Sequence, residues 1–255
     1  LFVTHLDDAE SGSGFSRLLE SLRAFGGELK DAQFLVFGEQ DVDRECELRG
    51  DERVTFEQLD VPEDIADYPF TREVYAFAKA EVLAAGHHGT IAWVDTNCMV
   101  VNPPPLYRLG LGVKAALRPV HIRNVGLRLE EPLNDYWRGI YHACGLKEVT
   151  RTVTSFVDGQ TIRAYYNTHA FAVDPSLNLM GEWREVFTRL VRDREFQERC
   201  CVEPRERIFL FQAILSAVLG KNLLEEQIRV LPPAYNYPYN LQSSIPGERR
   251  ARALA

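Results

Sequence analysis

The run TIAWVD, residues 90 to 95, constrains the fold more than any other stretch of this sequence. Ile91, Ala92, Trp93 and Val94 are apolar without alternation, and Asp95 follows at once. A strand with one face in water alternates polar and apolar residues, whereas a strand without alternation is covered on both faces. Strands of that kind belong to mostly parallel sheets flanked by helices. The chain of 255 residues is long enough for one large α/β domain with a substantial core. Asp95 then stands at the mouth of a buried strand. An ionised carboxylate is costly to bury alone, so Asp95 is solvated, paired, or holding a cation.

The rest of the chain fits the same layout. LFVTHL (1–6) reads as a first strand, DDAESGSG (7–14) as a flexible polar loop, and AQFLVFG (32–38) as a second strand. Between loop and second strand, Phe15, Leu18, Leu19, Leu22 and Phe25 recur at helical spacing, and Gly26 and Gly27 close the helix. Residues 39–52 are acidic and read as loop, and RVTFEQL (53–59) as a short strand. Val74, Phe77, Ala78 and Val82 mark a helix stopping near Gly86. VKAALRPVHI (113–122) and HAFAVDP (169–175) are strand candidates, and EPLNDYWRGIYHACG (131–145) is a short helix. Two β-rich runs flank Asp158-Gly159-Gln160 and predict a hairpin. Trp183, Val186, Phe187, Leu190 and Val191 form one helical face. ERIFLFQAILSAVLG (206–220) is a helix apolar nearly all round, and QIRVLPPAYNYPYN (227–240) a strand running into an aromatic loop. With no repeat and no linker, the expectation is a single α/β domain with a mixed, mostly parallel sheet flanked by helices.

A formal charge of -8 argues against nucleic acid as a partner, which needs a basic footprint. Five cysteines (Cys46, Cys98, Cys144, Cys200 and Cys201) show neither a CxxC pair nor zinc spacing. Free thiols point to a reducing compartment, hence a cytoplasmic protein. No apolar stretch approaches the roughly 20 residues of a transmembrane segment, and no signal peptide is visible.

In open α/β sheets ligands bind beyond the carboxyl ends of the strands, where Asp95 sits. If the chain stays extended, Asp95 and Asn97 point the same way, and two oxygen-bearing side chains can hold a hard divalent metal, Mg2+ or Mn2+. The plain alternative is a strand-end carboxylate capping a turn. His169 is a candidate general base or sugar-binding donor, or a core histidine bonded to backbone. Gln212 and Ser216 lie one turn apart in an apolar helix and form either a polar notch or a satisfied buried pair. SGSG precedes a helix, as phosphate-binding loops do, but neither G-x-G-x-x-G nor G-K-[ST] is complete, so the loop reading is favoured. Tyr235, Tyr237 and Tyr239 stack a ligand or cover the sheet edge. Arg249 and Arg250 read as a disordered, solvated tail.

The frame of strand, Asp95-Thr96-Asn97, short apolar segment and prolines resembles the nucleotide-diphospho-sugar transferases of the GT-A fold, with a modified D-x-D motif. YYNTHAFAVDP (165–175) before a Trp-containing helix, FLFQAILSAVL (209–219) and LPPAYNYPYN (231–240) are similar, in that order, to segments of glycosyltransferase family 8. The departures are Asn97 for the second carboxylate, Thr168-His169 for a glycine after Asn167, Phe211 for an acidic residue before Gln212, and no H-x-G histidine after Asn240.

The resemblance implies a nucleotide-diphospho-sugar donor and an acceptor of unknown kind. It implies a nucleotide-binding half (about 1–110), a sugar and acceptor half (about 111–240) and a tail (241–255). Thr4, His5 and Asp8 would touch base and ribose, and Lys79 the donor diphosphate or sugar. Asp95 and Asn97 would hold the metal, Asn167 and His169 line the sugar, and Gln212 face the reacting centre. The departures carry a second expectation, a degenerate GT-A domain that binds a nucleotide or protein without catalysis. A third, a sugar-1-phosphate nucleotidyltransferase, would need a Gly-rich, Arg-containing signature after strand one, which SGSGFSR imitates poorly.

Overall fold

The computed structural model describes residues 1–38 and 51–252; most of the expected acidic loop (39–52) lies outside them. Nine strands are described: β1 (Phe2–Leu6), β2 (Phe34–Gly38), β3 (Val54–Gln58), β4 (Ile91–Val94), β5 (Ala115–Leu117), β6 (Thr152–Thr154), β7 (Thr161–Arg163), β8 (Ala170–Val173) and β9 (Ile228–Val230). The described α-helices are α1 (Ala9–Phe25), α2 (Thr71–Ala84), α3 (Asp135–Cys144), α4 (Leu179–Arg192), α5 (Arg194–Cys200), α6 (Pro204–Ile208) and α7 (Leu210–Asn222). Seven strands form one sheet in the order β3-β2-β1-β4-β8-β5-β9. All its pairings are parallel except the two made by β8, which runs antiparallel to β4 and β5. The expected mixed, mostly parallel sheet is found.

The sheet is covered on both faces, as the unalternating β4 requires. Ala92 and Val94 pack with Phe15, Leu18, Leu19 and Leu22 of α1 on one side. Ile91 and Trp93 pack with α2, α4 and α7 on the other. β6 and β7 form the expected antiparallel hairpin, with Gly159 at φ 63° in its loop. Among the described residues no helix is long and apolar enough to cross a membrane, and Cys98, Cys144, Cys200 and Cys201 are free thiols.

Three local readings are corrected. Residues 7–14 are not a loop: α1 starts at Ala9, because Asp8 accepts from the Ser11 amide (2.8 Å) and Ser11 Oγ accepts from the Asp8 amide (3.0 Å). This reciprocal cap starts a helix despite a Gly- and Ser-rich first turn. A Cβ on Gly14 would lie 2.6 Å from the Thr96 carbonyl oxygen, so the glycine lets α1 touch the turn after β4. The helix expected over 206–220 breaks at Phe209 into α6 and α7. The strand expected over 113–122 shrinks to β5, since Pro119 has no amide proton for the ladder.

The β5–β8 pairing sets up the site. Ala116 faces Ala172, yet Pro119 bridges Tyr166. Two residues, Leu117 and Arg118, lie between those pairings on one side, and five, 167 to 171, on the other. The surplus is taken up at Asn167-Thr168-His169, a bulge that lifts these side chains out of the ladder at the carboxyl edge of β4 and β5.

Candidate active site at the carboxyl edge

Parallel β1, β4 and β5 end on one edge of the sheet, and β8 begins there. Asp95 leaves β4 at that edge, and its amide donates to the His169 carbonyl at 2.8 Å. Its Oδ2 lies 3.1 Å from His169 Nδ1, while Oδ1 accepts from the Asn97 amide at 2.9 Å. Burial raises the Asp95 pKa, but the His169 and Asn97 contacts lower it further, and the net result is below the ordinary carboxylate value. Asn167 Oδ1 accepts from the His169 amide (2.9 Å) and from Asn236 Nδ2 (2.8 Å). Asn236 comes from the aromatic loop after β9 and sits at φ 61°, a conformation asparagine tolerates better than most residues.

β1 contributes a second group beside the first. His5 is buried, with Nδ1 3.5 Å from Asp7 Oδ1, and Arg72 of α2 stands 3.9 Å from that same oxygen. Between them lies Glu73, which with Asp95, His169, Trp93, Trp183 and Phe211 lines a pocket. The start of α2 is held over this pocket by Phe70, in a left-handed conformation (φ 64°) and stacked on Phe211 at 4.1 Å. Burial, reinforced by Asp7 and Asp95, pushes Glu73 up to about 7, against the pull of its own backbone amide and His5.

A raised folded-state pKa means stability is fully present below the unfolded value and is lost as pH rises through about 7. Glu73→Gln is therefore expected to be more stable than wild type at pH 8, by about 1–3 kcal/mol, and to match it near pH 4. Urea melts at the two pH values check this, and an equal gain at both would show that Glu73 does not titrate in this window.

The structure brings Asp95, His169 and Asn167 together and separates other expected site residues. Thr4 is fully buried within β1. Asp8 caps α1. Lys79 Nζ donates to the Gln58 carbonyl (2.6 Å) beside Glu57, at the end of β3, three strands from β4. Gln212 is buried behind the bulge and accepts from Thr168 Oγ1 at 3.4 Å. Ser216 is a satisfied buried group, accepting from the Tyr166 amide and donating to the Gln212 carbonyl. The chain does not stay extended after β4: it turns, with the Cys98 amide on the Asp95 carbonyl at 2.9 Å, and Asn97, though exposed, keeps its amide and its side chain against the Asp95 carboxylate.

Tyr235 covers the sheet, its hydroxyl accepting from the Leu106 amide and its ring edge-on to Tyr107. The expected disordered tail is instead tied down: Arg249 donates to the Phe156 carbonyl and Arg250 to Ile245.

A divalent cation would need several oxygen ligands converging on one point. Both Asp95 oxygens already accept a contact, and among the described residues no three His, Cys, Asp or Glu side chains group as metal ligands. The residues present do not form a ready cation site. Glu73, Arg72 and Asn236 escaped the sequence reading. Only Asn236 had a signal, in the stretch LPPAYNYPYN; the other two depend on burial and on neighbours distant in sequence.

No protein-family model and no curated protein matches this sequence. Solved structures do. The chain is similar to the galactosyltransferase LgtC in complex with donor and acceptor sugar analogues, at 15% identity over 99% of this chain and 80% of that one, with a TM-score of 0.54. An active-site mutant of LgtC matches at 12% identity over 96% of this chain and 79% of that one, TM-score 0.53. The bifunctional glycosyltransferase WbbM matches at 14% identity over 91% of this chain and 38% of its own length, TM-score 0.51. The fold is that of these glycosyltransferases, in line with the GT-A resemblance read from the motifs.

Proposed function

We propose that this chain is a glycosyltransferase that moves a sugar from a nucleotide-diphospho-sugar to an acceptor hydroxyl. The observation that carries the reading is the Asp95–His169 pair, set at the carboxyl edge of β4 by the bulge beside it. In this reading His169 donates Nδ1–H to Asp95, which leaves Nε2 as a proton acceptor. The acceptor oxygen attacks the anomeric carbon, its proton passes to Nε2, and the bond to the diphosphate breaks with its electron pair on the leaving phosphate.

Asn167 has its carbonyl oxygen occupied twice, so its Nδ2 is the group left to donate to a sugar hydroxyl. Gln212 acts as a positioning residue through Thr168. Asp7, His5 and Arg72 are assigned to the nucleoside, in the half of the chain before about residue 110, and the remainder serves sugar and acceptor. Mn2+ or Mg2+ at Asp95 would share its carboxylate with the Asn97 amide and His169. That occupied carboxylate favours a second reading, a nucleotide-binding domain of the same fold without turnover.

A thermal-shift panel of UDP, GDP, CDP, ADP and their sugar conjugates, each with and without Mn2+, tests the proposal. A ligand at 100 times its Kd adds about 2.7 kcal/mol to stability, so one nucleotide family is expected to raise Tm clearly. Release of free nucleoside diphosphate from the sugar conjugate then separates transfer or hydrolysis from binding alone. No shift with any nucleotide rules out both readings.

A further inference from the structure

Arg118 follows the last residue of β5 at the same carboxyl edge and is 2% exposed. Its Nε and Nη1 are buried without a hydrogen-bond partner among the described residues. No carboxylate lies within ion-pair distance of it among those residues; its guanidinium stands over the Phe156 ring, 5.0 Å away, and near Tyr107. Phe156 is in turn packed edge-on by Tyr237, 5.8 Å between ring centres, from the loop that also delivers Asn236. Arg163, the other buried arginine among the described residues, has counter-groups: it reaches Glu148 and two backbone carbonyls. A buried cation without an anion is an expensive arrangement.

Arg118 is also tied to the site by its backbone, since its carbonyl accepts from the Asn167 amide at 2.8 Å. His121 lies beside it with Nδ1 buried and unpartnered. Burial, then the charges of Arg118 and His169, push His121 down to about 4, so it is neutral at pH 7. Burial lowers Arg118 only to about 10, so its charge remains.

We propose that Arg118, with His121 beside it, is the seat for the terminal phosphate of the departing nucleoside diphosphate. This rests on the glycosyltransferase reading above. When the bond from the anomeric carbon to the phosphate oxygen breaks, the electron pair stays on that oxygen, and in this assignment the guanidinium offsets the charge that develops there. Arginine suits the task because its fork of donors matches two phosphate oxygens at once. The charge neutralisation that Asp95 and Asn97 are not arranged to deliver through a cation is thereby supplied by a side chain.

The test is calorimetric titration in EDTA of inorganic pyrophosphate, of UDP, GDP, CDP and ADP, and of the matching nucleosides, into the full chain. Wild type is expected to bind pyrophosphate and one nucleoside diphosphate without metal. Arg118→Met is expected to weaken both by about 10- to 100-fold while leaving the nucleoside affinity unchanged, and Arg118→Lys to keep part of the binding. Removing an uncompensated buried charge is also expected to raise the Tm of the ligand-free protein, an effect that a residue needed only for packing would not produce. Equal diphosphate binding by wild type and Arg118→Met overturns the assignment and leaves the transferase reading standing. Absence of any nucleoside diphosphate binding by wild type, with or without Mn2+, removes both.

Discussion

Asp95→Asn is expected to lower sugar transfer by about 10²- to 10⁴-fold, the range of a general base lost or misaligned, while the protein remains folded. The substitution keeps the shape and an oxygen that can still accept from the Asn97 amide. It removes the negative charge facing His169 Nδ1 at 3.1 Å. Without that charge the ring is no longer held with Nδ1–H toward position 95, and Nε2 is no longer committed to accepting a proton.

His169→Ala is expected to cost about as much, and the double variant little more than either, because the two act as one unit. A stability signature accompanies the loss. The Asp95 pKa lies below its ordinary value in the fold, so its contribution is present above the unfolded-state pKa and disappears as pH falls through the folded one. The Tm difference between wild type and Asp95→Asn should therefore be visible at pH 7 and close as pH falls below the carboxylate range. Initial rates of nucleoside diphosphate release, with Tm measured on the same samples, check both halves. An Asp95→Asn enzyme working at the wild-type rate would remove the pair from the mechanism.

Trp183→Ala is expected to destabilise the fold by about 3–5 kcal/mol, the usual cost of emptying a large aromatic site. Trp183 is 1% exposed, and its indole N–H donates to the Phe211 carbonyl at 2.7 Å. The ring stacks near Phe211 (6.3 Å) and meets Phe171 edge-on (6.5 Å). It thus joins α4 to α7 and to β8 at the floor of the pocket beneath Asp95 and His169. Truncation leaves a cavity and a buried carbonyl without its donor, and the two losses act together. At about 2–4 °C per kcal/mol for a chain of this size, Tm should fall by roughly 6–20 °C. Trp183→Phe retains most of the volume and should lose less. A melt shifted by under 2 °C in the alanine variant would show that α4 is held elsewhere.

These two sites differ in how visible they were before the structure. Trp183 stood in a helical stripe with Val186, Phe187 and Leu190, and the stripe faces the core as its period requires. Asp95 was marked by its place after an unalternating strand and His169 by its chemistry, but their pairing was not. Asp95-Thr96-Asn97 read either as extended or as a turn capped by the carboxylate, and the turn is what forms, closed by Asp95 on the Asn97 amide. The Gly- and Ser-rich segment after β1 also misled. Its composition suits a loop, while the Asp8–Ser11 cap makes it a helix start.

What the sequence by itself determined is the periodic part: which runs are strands, which faces are apolar, that one sheet is covered on both sides, and where a carboxylate follows a strand. Those properties depend on neighbours within about one turn or one pleat, and the chain order carries them. The tertiary structure alone decided the rest. Gly14 has a role because Thr96 approaches it. Glu73 is raised because the fold buries it, with Asp7 and Asp95 adding to the shift from two other strand ends. Arg118 is notable because, among the described residues, no carboxylate pairs with it. Electrostatic energies follow distance and burial in space, and neither is written in the spacing of residues along a chain.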